Sequence, residues 1–282
     1  MTLSKKSFIF GILIGTVLLF SYLATLPDGK LHLVFCDVGQ GDAAYIRTPS
    51  NADLLIDGGP DDKVLSCLGR HMPFYDRTID VVVLSHPQKD HISGLIPVLQ
   101  RYRVKYVISS VAGSQDKNYR DFIMAAGRKN IPVKRLNFSD SFSLGATKFS
   151  ILWPEKEWIA QNSDDSDSSI LGVSTGEDLN YFSYYINLRY GTFDALFTGD
   201  ADSAIQPIIM ELASLKDDLE ILKIPHHGSR TAVLPEFLDK VKPKLAVISV
   251  GKNSYGHPAE ETIKQLKDRA IGIKRTDREG DI

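Results

Sequence analysis

The sequence predicts an α/β (α+β) protein in which helices cover β-sheet, preceded by one apolar helix at the N-terminus. Three observations support this class: strand-like runs follow one another early in the chain, strand-like and helix-like runs then alternate, and an uncharged 19-residue stretch precedes both. Alternating strands and helices are typical of helices packed on a sheet. We expect an N-terminal segment at 1–30 and one folded domain at 31–282.

The N-terminal stretch, Phe8 to Leu26, carries no charged residue. Its length is close to the roughly 20 residues that a helix needs to cross a bilayer. Lys5 and Lys6 precede it, and basic residues favour the cytoplasmic side of a membrane. We therefore expect a membrane anchor with the remaining chain outside the cytoplasm. The alternative is a signal peptide whose cleavage releases a secreted domain, although no convincing cleavage site is present.

The first half of the domain begins with three strand-like runs. "LHLVFCDVG" and "AAYIRTP" flank the turn-rich "GQGD", and "ADLLIDGG" follows, a pattern typical of an antiparallel meander. A helix is expected at "VLSCLGRHM". The strands "TIDVVVLSH", "VKYVISS" and "VKRLN" then alternate with helices at "GLIPVLQRY" and "YRDFIMAAGRKN".

The second half has the same alternation after an irregular segment. The strand "KFSILWP" precedes residues 161–180, which are rich in Ser, Asp, Gly and Asn and predict a solvated loop. Strands are expected at "YFSYYINLRYG", "FDALFTGD", "LEILKIPHHGS" and "LAVISVG", and helices at "SAIQPIIMELASL", "LPEFLDKV" and "PAEETIKQLKDR". The final run, "IGIKRTDREGDI", predicts one strand and the start of another.

Charge and cysteine content narrow the function classes. The 33 basic and 35 acidic residues give a net charge of −2, so no overall field attracts a polyanion, and nucleic-acid binding requires a local site. The two cysteines are too few for a disulfide scaffold and form no C-x-x-C pair. We expect Cys36 and Cys67 to be buried thiols, with one bridge between them as the alternative.

Polar residues directly follow four of the predicted strands. Asp57 follows "LLI", Asp200 follows "LFTG", and two further strands lead into "SHPQKDH" and "PHH". Loops at strand ends on a rigid scaffold commonly carry functional sites. Because imidazole and carboxylate together suit zinc, manganese or iron, the set predicts a metal centre more readily than a general acid/base pair.

The order of these motifs resembles that of the metallo-β-lactamase fold superfamily, whose signature loop is usually H-x-H-x-D-H. It is similar, more narrowly, to the hydrolase domain of ComEC-type competence proteins, which belong to a DNA-uptake channel family. The resemblance runs from about Leu31 to Asp281 and lies in "DVGQGDAAYI", "LLIDGG", "LSHPQKDHISGL", "LFTGDAD", "LKIPHHGSRTA" and "SYGHP". It implies a four-layer αββα sandwich with metal ions at one edge. Domains of this family usually continue past the equivalent of "REGDI" through another strand.

The resemblance also implies metal ligands. Asp200 would bridge two ions, and His86 would serve the second of them. Asp57 would orient the ligands, a role typical of a carboxylate beside a metal-bound histidine. His227 is the alternative to His226, because the sequence does not determine which of the two points inward. The implied ligands are His86, Asp90, His91, Asp200 and His226.

Gln88 departs from the superfamily pattern. Members with two metals have histidine at this position, and ComEC-like domains commonly have aspartate, whereas glutamine offers only a neutral carbonyl oxygen. The superfamily's third motif also lacks its histidine, since none occurs between His91 and His226, and Trp153 falls in that region. We therefore expect one tightly held ion, manganese with zinc close behind, and a second that arrives weakly or with substrate.

A bound divalent ion lowers the pKa of its water to about 7, so hydrolysis needs no protein nucleophile. Asp90 and Asp200 would hold that ion.

"GQGD" lacks the Walker pattern, so Gly39 and Gly41 are expected to permit a tight turn. His257 and Ser229 are candidates for catalysis and phosphate contact, although Ser and Asn often serve turns. The candidates for substrate binding are Asp42, Asn180, Ser183 and Ser229.

These features predict a membrane-anchored, metal-dependent hydrolase outside the cytoplasm, acting on phosphodiesters as a DNA nuclease. Its partners would be DNA, the membrane and a DNA-uptake machinery. A hydrolase of a small phosphoester is the alternative, with a β-lactam disfavoured because Gln88 weakens one metal site. A non-catalytic scaffold with a decayed metal site is an alternative of another class.

Overall fold

A computed structural model describes residues 5–164 and 172–282. Side chains are described for 10–23, 26–164 and 172–282. Part of the loop predicted at 161–180, residues 165–171, lies outside the described residues.

Thirteen strands form the described β-structure. They are β1 (His32–Phe35), β2 (Ala44–Arg47), β3 (Asp53–Ile56), β4 (Thr78–Val83), β5 (Arg103–Ile108), β6 (Val133–Lys134), β7 (Ser141–Leu144), β8 (Thr147–Trp153), β9 (Tyr185–Tyr190), β10 (Phe193–Phe197), β11 (Ile221–Lys223), β12 (Leu245–Ile248) and β13 (Gly272–Arg275).

The described helices lie between and around these strands. They are α1 (Lys5–Thr25), α2 (Lys63–His71), α3 (Lys89–Ile92), α4 (Leu95–Arg101), α5 (Lys117–Arg128), α6 (Lys156–Gln161), α7 (Gln206–Leu212), α8 (Pro235–Val241), α9 (Glu260–Asp268) and α10 (Thr276–Glu279). Two 3-10 helices span Leu179–Phe182 and Pro225–Gly228.

The strands form two mixed sheets. The first has the order β1-β2-β3-β4-β5-β6, and the second has the order β13-β12-β11-β10-β9-β8-β7. In the first sheet β1, β2 and β3 are antiparallel, and β3 to β6 are parallel. In the second sheet β10 to β13 are parallel. The two-sheet α/β fold predicted from the sequence is confirmed.

Alternation of side chains along the strands produces three apolar layers. Leu55 and Val82 pack on the α2, α4 and α5 side of the first sheet, whereas Leu54 and Val83 face the second sheet. In the second sheet Leu196 faces α7 and α8. Because neighbouring residues of a strand point to opposite faces, these buried strands are apolar on both sides. The layers are therefore stacked in the order helices, first sheet, second sheet and helices, with an apolar layer between each neighbouring pair.

The N-terminal helix α1 stands apart from these cores. Its large apolar side chains between Phe10 and Leu23 are exposed. Among the residues that the structure describes, no helix is both long and apolar enough to cross a membrane. The membrane anchor therefore remains a prediction.

The two cysteines form a disulfide, with Cα atoms 5.8 Å apart. Cys36 directly follows β1, and Cys67 lies on α2, so the bond joins the first sheet to its covering helix layer. The expectation of two free thiols was wrong, and the single bridge named as its alternative is present.

The end of the chain also differs from prediction. A second strand was expected after β13, but the short helix α10 occupies Thr276–Glu279. The backbone then reaches the other sheet, where Ile282 and Phe35 exchange two hydrogen bonds of 2.8 and 3.0 Å. Asp281 binds Arg70 and His71 beside them. Residues 281 and 282 therefore contact the first sheet at the end of β1.

Candidate metal centre

The site lies where parallel strands of both sheets end. Asp57 follows β3, the "HPQKDH" loop follows β4, Asp200 follows β10, and the "PHHG" turn follows β11. β3 and β4 are parallel neighbours, as are β10 and β11. Because parallel neighbours end at the same edge, the four loops are brought together at one edge of the sandwich.

Four side chains converge at this edge. Ligand atoms of Asp90, His91, Asp200 and His227 all lie within 4.8 Å of one another. Nε2 of His91 is 3.3 Å from Oδ2 of Asp200, and Nε2 of His227 is 3.4 Å from the same oxygen. Nε2 of His227 also lies 3.2 Å from Oδ2 of Asp90. Two imidazoles and two carboxylates therefore face a common centre.

His227, and not His226, belongs to this group. Both residues have left-handed backbone, with φ of 52° and 48°, which is uncommon for residues other than glycine. This turn directs His227 inward, where it is 2% exposed and its Nδ1 donates to the carbonyl of Ser249 at 2.9 Å. His226 instead lines the open groove beside the site. Of the two alternatives left open by the sequence, the geometry favours His227 as the ligand.

Asp57 lies behind His91 and fixes its ring. Its Oδ2 accepts a 2.8 Å hydrogen bond from Nδ1 of His91, which leaves Nε2 of that ring facing the common centre. Ser85 donates to the same carboxylate through its backbone at 2.8 Å and its hydroxyl at 2.6 Å. A carboxylate that holds the second nitrogen of a ligating histidine sets the ring's tautomer and orientation.

A buried lysine forms the floor of the site. Lys223 is 3% exposed and forms an ion pair with Asp42. Its Nζ also donates to the carbonyl of Gly199 at 2.9 Å and lies 3.7 Å from Oδ1 of Asp200. Burial lowers the pKa of Lys223, but the two carboxylates outweigh burial and raise it above its ordinary value. Asp42, expected at the substrate-facing rim, is therefore a buried partner of this lysine.

Charge within the cluster keeps its carboxylates ionised. Burial raises the pKa of Asp200, but His227 and His91 outweigh it, so the pKa lies well below its ordinary value. Burial likewise opposes the charged form of His91, yet Asp200 and Asp57 hold its pKa well above the ordinary value. Metal binding releases protons from the ligands. The protons on the His91 and His227 rings therefore occupy positions that a cation can take.

The described residues fit a divalent metal. Nε2 of His91 and Oδ1 of Asp200 are buried without a hydrogen-bond partner in the described part of the chain. Buried polar atoms normally have partners, so these exceptions need an explanation such as an ion. Mixed nitrogen and oxygen ligands suit zinc, manganese or iron. The site thus has the chemistry of a metal centre.

His86 and Gln88 form the other side of the site. His86 is fully buried, its ring centroid is 4.1 Å from that of His91, and its Nδ1 lies 3.1 Å from the Ser85 hydroxyl. Burial, followed by the neighbouring charge of His91, lowers the pKa of His86 to about 3, so its ring is neutral. Its Nε2 has no hydrogen-bond partner among the described residues. Gln88 lines the open groove beside the site.

An open groove of about 800 Å³ borders the four-residue group. Asp90, Asp200 and His227 form part of its wall, so the candidate metal position opens directly onto it. His257 and Tyr255 line the same groove. The groove therefore connects these side chains with the surface of the domain.

The other residues expected to bind substrate are buried behind the groove. Ser183 is fully buried, and its hydroxyl accepts a 3.1 Å hydrogen bond from the backbone of Asp200. Ser229 is 6% exposed, and its carbonyl accepts from Thr262 at 2.6 Å. Asn180 is buried in the 3-10 helix before β9. Neither of the serines nor Asn180 lines the groove. These contacts indicate that Ser183 and Ser229 support the loops carrying Asp200 and His227.

Gly41 allows the first loop to approach the ligands. Its φ is 151°, and a Cβ atom at this position would lie 2.3 Å from the carbonyl oxygen of Asp90. That carbonyl accepts a 3.2 Å hydrogen bond from the backbone of Asp42. The turn expected at "GQGD" therefore also makes a close contact with the Asp90 loop, which only glycine permits.

Sequence reasoning missed Lys223 and Ser85. Lys223 ends β11 within the run "ILKIP", and a lysine in an apolar strand is the available signal, because Lys is almost never fully buried unless paired. Ser85 lies directly before His86, the first residue of the "HPQKDH" loop. Nothing about a serine at that position distinguishes it from a turn residue.

Comparisons with known proteins agree with the geometry. The family described as Metallo-beta-lactamase superfamily matches residues 36–252. ComE operon protein 3 of Bacillus subtilis (strain 168) is 26% identical over 94% of this chain and 34% of its own length. Recombination protein 2 of Haemophilus influenzae is 26% identical over 95% of this chain and 30% of its own length. Competence protein ComA of Neisseria gonorrhoeae is 25% identical over 90% of this chain and 32% of its own length. The chain spans about a third of the length of these curated relatives.

Solved structures share the fold at low identity. The metallo-beta-lactamase fold protein YhfI from Bacillus subtilis has a TM-score of 0.54 and 12% identity, covering 87% of this chain and 96% of its own. A long form RNase Z from yeast has a TM-score of 0.50 and 14% identity, and the match covers 90% of this chain and 42% of the RNase Z chain. At these identities the likeness shows the fold alone.

Proposed function

Because the chain belongs to the metallo-beta-lactamase superfamily, we propose that it is a metal-dependent hydrolase that cleaves the phosphodiester bonds of DNA. One observation carries the proposal: Asp90, His91, Asp200 and His227 converge on one point at the wall of an open groove. Relatives named for competence and recombination support DNA as the substrate. A DNA-uptake machinery is the partner that this relationship suggests.

In this proposal the four converging residues hold one divalent ion, manganese or zinc. His86 contributes to a second, weaker position. A divalent ion held here supplies activation of water and stabilisation of charge on the attacked phosphate. The unpartnered Nε2 of His91 and Oδ1 of Asp200 support the first position, and the unpartnered Nε2 of His86 supports the second.

The protein's own contribution is orientation. Asp57 fixes the ring of His91, and the carbonyl of Ser249 fixes the ring of His227, so neither ligand has to reorganise during the reaction. Lys223 balances the charge of Asp42 and lies beside Asp200. His257 lies in the groove, outside the four-residue group, where its ring can contact a phosphate oxygen or the leaving group.

We further propose that the domain is anchored by α1 and lies outside the cytoplasm. The disulfide supports this location, because such bonds persist in oxidising compartments and are rare in the cytosol. Lys5 and Lys6 precede the apolar stretch, as expected for a cytoplasmic N-terminus. Protease added to spheroplasts should cut the domain while a cytosolic marker stays intact. Equal protection of both proteins would exclude this orientation.

The full chain, purified in mild detergent, provides the test of the activity. Wild type with manganese or zinc should cleave labelled single-stranded DNA and bis-p-nitrophenyl phosphate, and a chelator should abolish both reactions. Asp200→Asn should abolish them as well. Asp217→Asn makes the same chemical change at an exposed position and should retain them.

The same samples distinguish the alternatives. Metal analysis should find about one tightly bound ion per chain, as expected for one closed ligand set. Turnover of bis-p-nitrophenyl phosphate without any DNA cleavage would instead favour a small phosphoester. If wild type binds no metal and cleaves neither substrate, the scaffold alternative would replace the proposal.

A further inference from the structure

Tyr255 presents an exposed aromatic ring at the wall of the groove. Its side chain is 75% exposed, and it lines the same groove as Asp90 and Asp200. An exposed aromatic ring at a binding groove is informative because such rings are enriched at sites that bind flat or apolar groups. The ring therefore offers a flat surface beside the candidate metal position.

The loop that carries Tyr255 is held in place by one side chain. Oδ1 of Asn253 accepts from the backbone of Tyr255 at 3.0 Å and of His257 at 3.1 Å. Its Nδ2 donates to the carbonyls of Gly251 and His257, both at 2.9 Å. Four hydrogen bonds from one asparagine fix the path of the loop. The backbone at Tyr255 is thus preorganised, which lowers the entropic cost of binding.

A row of rings connects Tyr255 with the metal position. The Tyr255 and His257 centroids are 5.8 Å apart with 35° between the ring planes. His257 and His226 follow at 5.5 Å, and His226 and His227 at 6.3 Å. A base lying on Tyr255 would therefore be separated from His227 by three ring-to-ring steps along the groove.

Two basic side chains accompany the aromatic ring. Lys89 and Lys252 are both exposed and both line the groove. In the part of the chain that the structure describes, neither lysine forms an ion pair. A groove that combines exposed aromatic rings with basic side chains is the arrangement by which single-stranded nucleic acids are bound, with bases stacked and phosphates neutralised.

We propose that Tyr255 is a stacking platform for an unpaired nucleobase of a single-stranded nucleic acid, with Lys89 and Lys252 contacting the adjacent phosphates. A base inside a duplex is covered by its neighbours on both faces, so only an unpaired base can lie on the ring. The inference rests on the proposed function and adds to it the form of the substrate and the residue that selects it.

Equilibrium binding tests the platform separately from cleavage. The manganese-loaded full chain is titrated into a fluorescent, phosphorothioate-linked oligothymidylate, which resists hydrolysis, and into an abasic strand of the same length and charge. Tyr255→Ala should weaken binding of the oligothymidylate about tenfold, within the range measured for base–aromatic stacking. Binding of the abasic strand should not change.

Three further variants make the result specific. Tyr255→Trp keeps a flat ring and should keep the affinity for oligothymidylate. Tyr106→Ala removes another exposed tyrosine, on β5 and outside the groove, and should have no effect. Lys252→Gln should weaken both strands alike and reduce the salt dependence of binding by about one unit of slope.

The outcomes separate the platform from the proposed activity. If Tyr255→Ala weakens binding of both strands equally, or of neither, the platform is refuted even where wild type cleaves DNA. Selective weakening of the oligothymidylate supports the platform even where wild type cleaves nothing. In that case the proposed hydrolysis alone would be wrong. Preference of wild type for duplex over single-stranded DNA would also contradict the platform.

Discussion

The two sides of the candidate metal centre differ in how completely they are built. On one side Asp90, His91, Asp200 and His227 place ligand atoms within 4.8 Å of one another. On the other side His86 is buried with an unpartnered Nε2, and Gln88 lines the groove. Both sides use the loop after β4, so the difference comes from its partners: the second sheet adds Asp200 and His227 to the first side.

The difference also extends to the residues behind the ligands. Asp57 and the carbonyl of Ser249 hold the rings of His91 and His227 by hydrogen bonds of 2.8 and 2.9 Å. His86 has the Ser85 hydroxyl, 3.1 Å from its Nδ1, and this hydroxyl already donates to Asp57. Because the partner of a ligating histidine sets its orientation and basicity, the first side should bind an ion more tightly.

The largest effect is expected from Asp200→Asn, which replaces the carboxylate at the centre of the complete side with a neutral amide. Metal affinity and hydrolysis should fall by more than the roughly 10- to 100-fold that loss of a ligand's hydrogen-bond partner causes. Calorimetric titration with manganese and initial rates on bis-p-nitrophenyl phosphate measure the two quantities. Unchanged metal affinity would place the ion elsewhere.

Asp57→Asn should have the next largest effect. Asparagine tolerates the left-handed backbone found here, with φ of 59°, so the variant should fold. It weakens the hydrogen bond that orients His91, and metal affinity should fall about 10- to 100-fold. The control is Asp61→Asn, since Asp61 is an exposed residue of the loop after β3. Equal effects at both positions would indicate a general loss of charge instead.

His86→Gln should change the affinity for the first ion by less than about tenfold, below the range for a lost partner of a ligand. The weaker second ion should disappear from the titration. Melting temperature serves as the check on folding, because His86 is fully buried. A loss of first-ion affinity as large as that of Asp200→Asn would show that the two sides form one inseparable site.

Gln88→His should have the smallest effect, and in the opposite direction. An added imidazole near His86 supplies a stronger ligand than the glutamine carbonyl. Occupancy of the second position should rise at a fixed manganese or zinc concentration, as measured by metal analysis after gel filtration. Gln88→Leu removes the carbonyl without adding a ligand and should not raise it.

The sequence predicted most of the candidate site because its residues follow strands. Asp57, His91 and Asp200 each come after an apolar run, and parallel strands must end at a common edge. It did not decide between His226 and His227, which are adjacent and chemically identical. That choice depends on left-handed backbone at both positions, a property that no local pattern of residue types determines.

Other features were missed or left open because they depend on contacts between distant segments. Lys223 ends a buried strand, and only its pairing with Asp42, which lies in the loop between β1 and β2, explains its burial. The disulfide likewise joins residues separated by 31 positions. The final run was predicted to start a second strand after β13, whereas α10 follows β13 and the chain then crosses to β1.

The bond between Cys36 and Cys67 bears on how the protein must be prepared. Closing a loop of this length stabilises a fold by roughly 3–4 kcal/mol in the chain-entropy treatment. Material made in a reducing cytosol would carry two buried sulfhydryl groups, and one of them adjoins the segment that contacts the Asp90 loop. Assays should therefore begin from oxidised protein, with its thiol content titrated under denaturing conditions before any inactivity is attributed to the ligands.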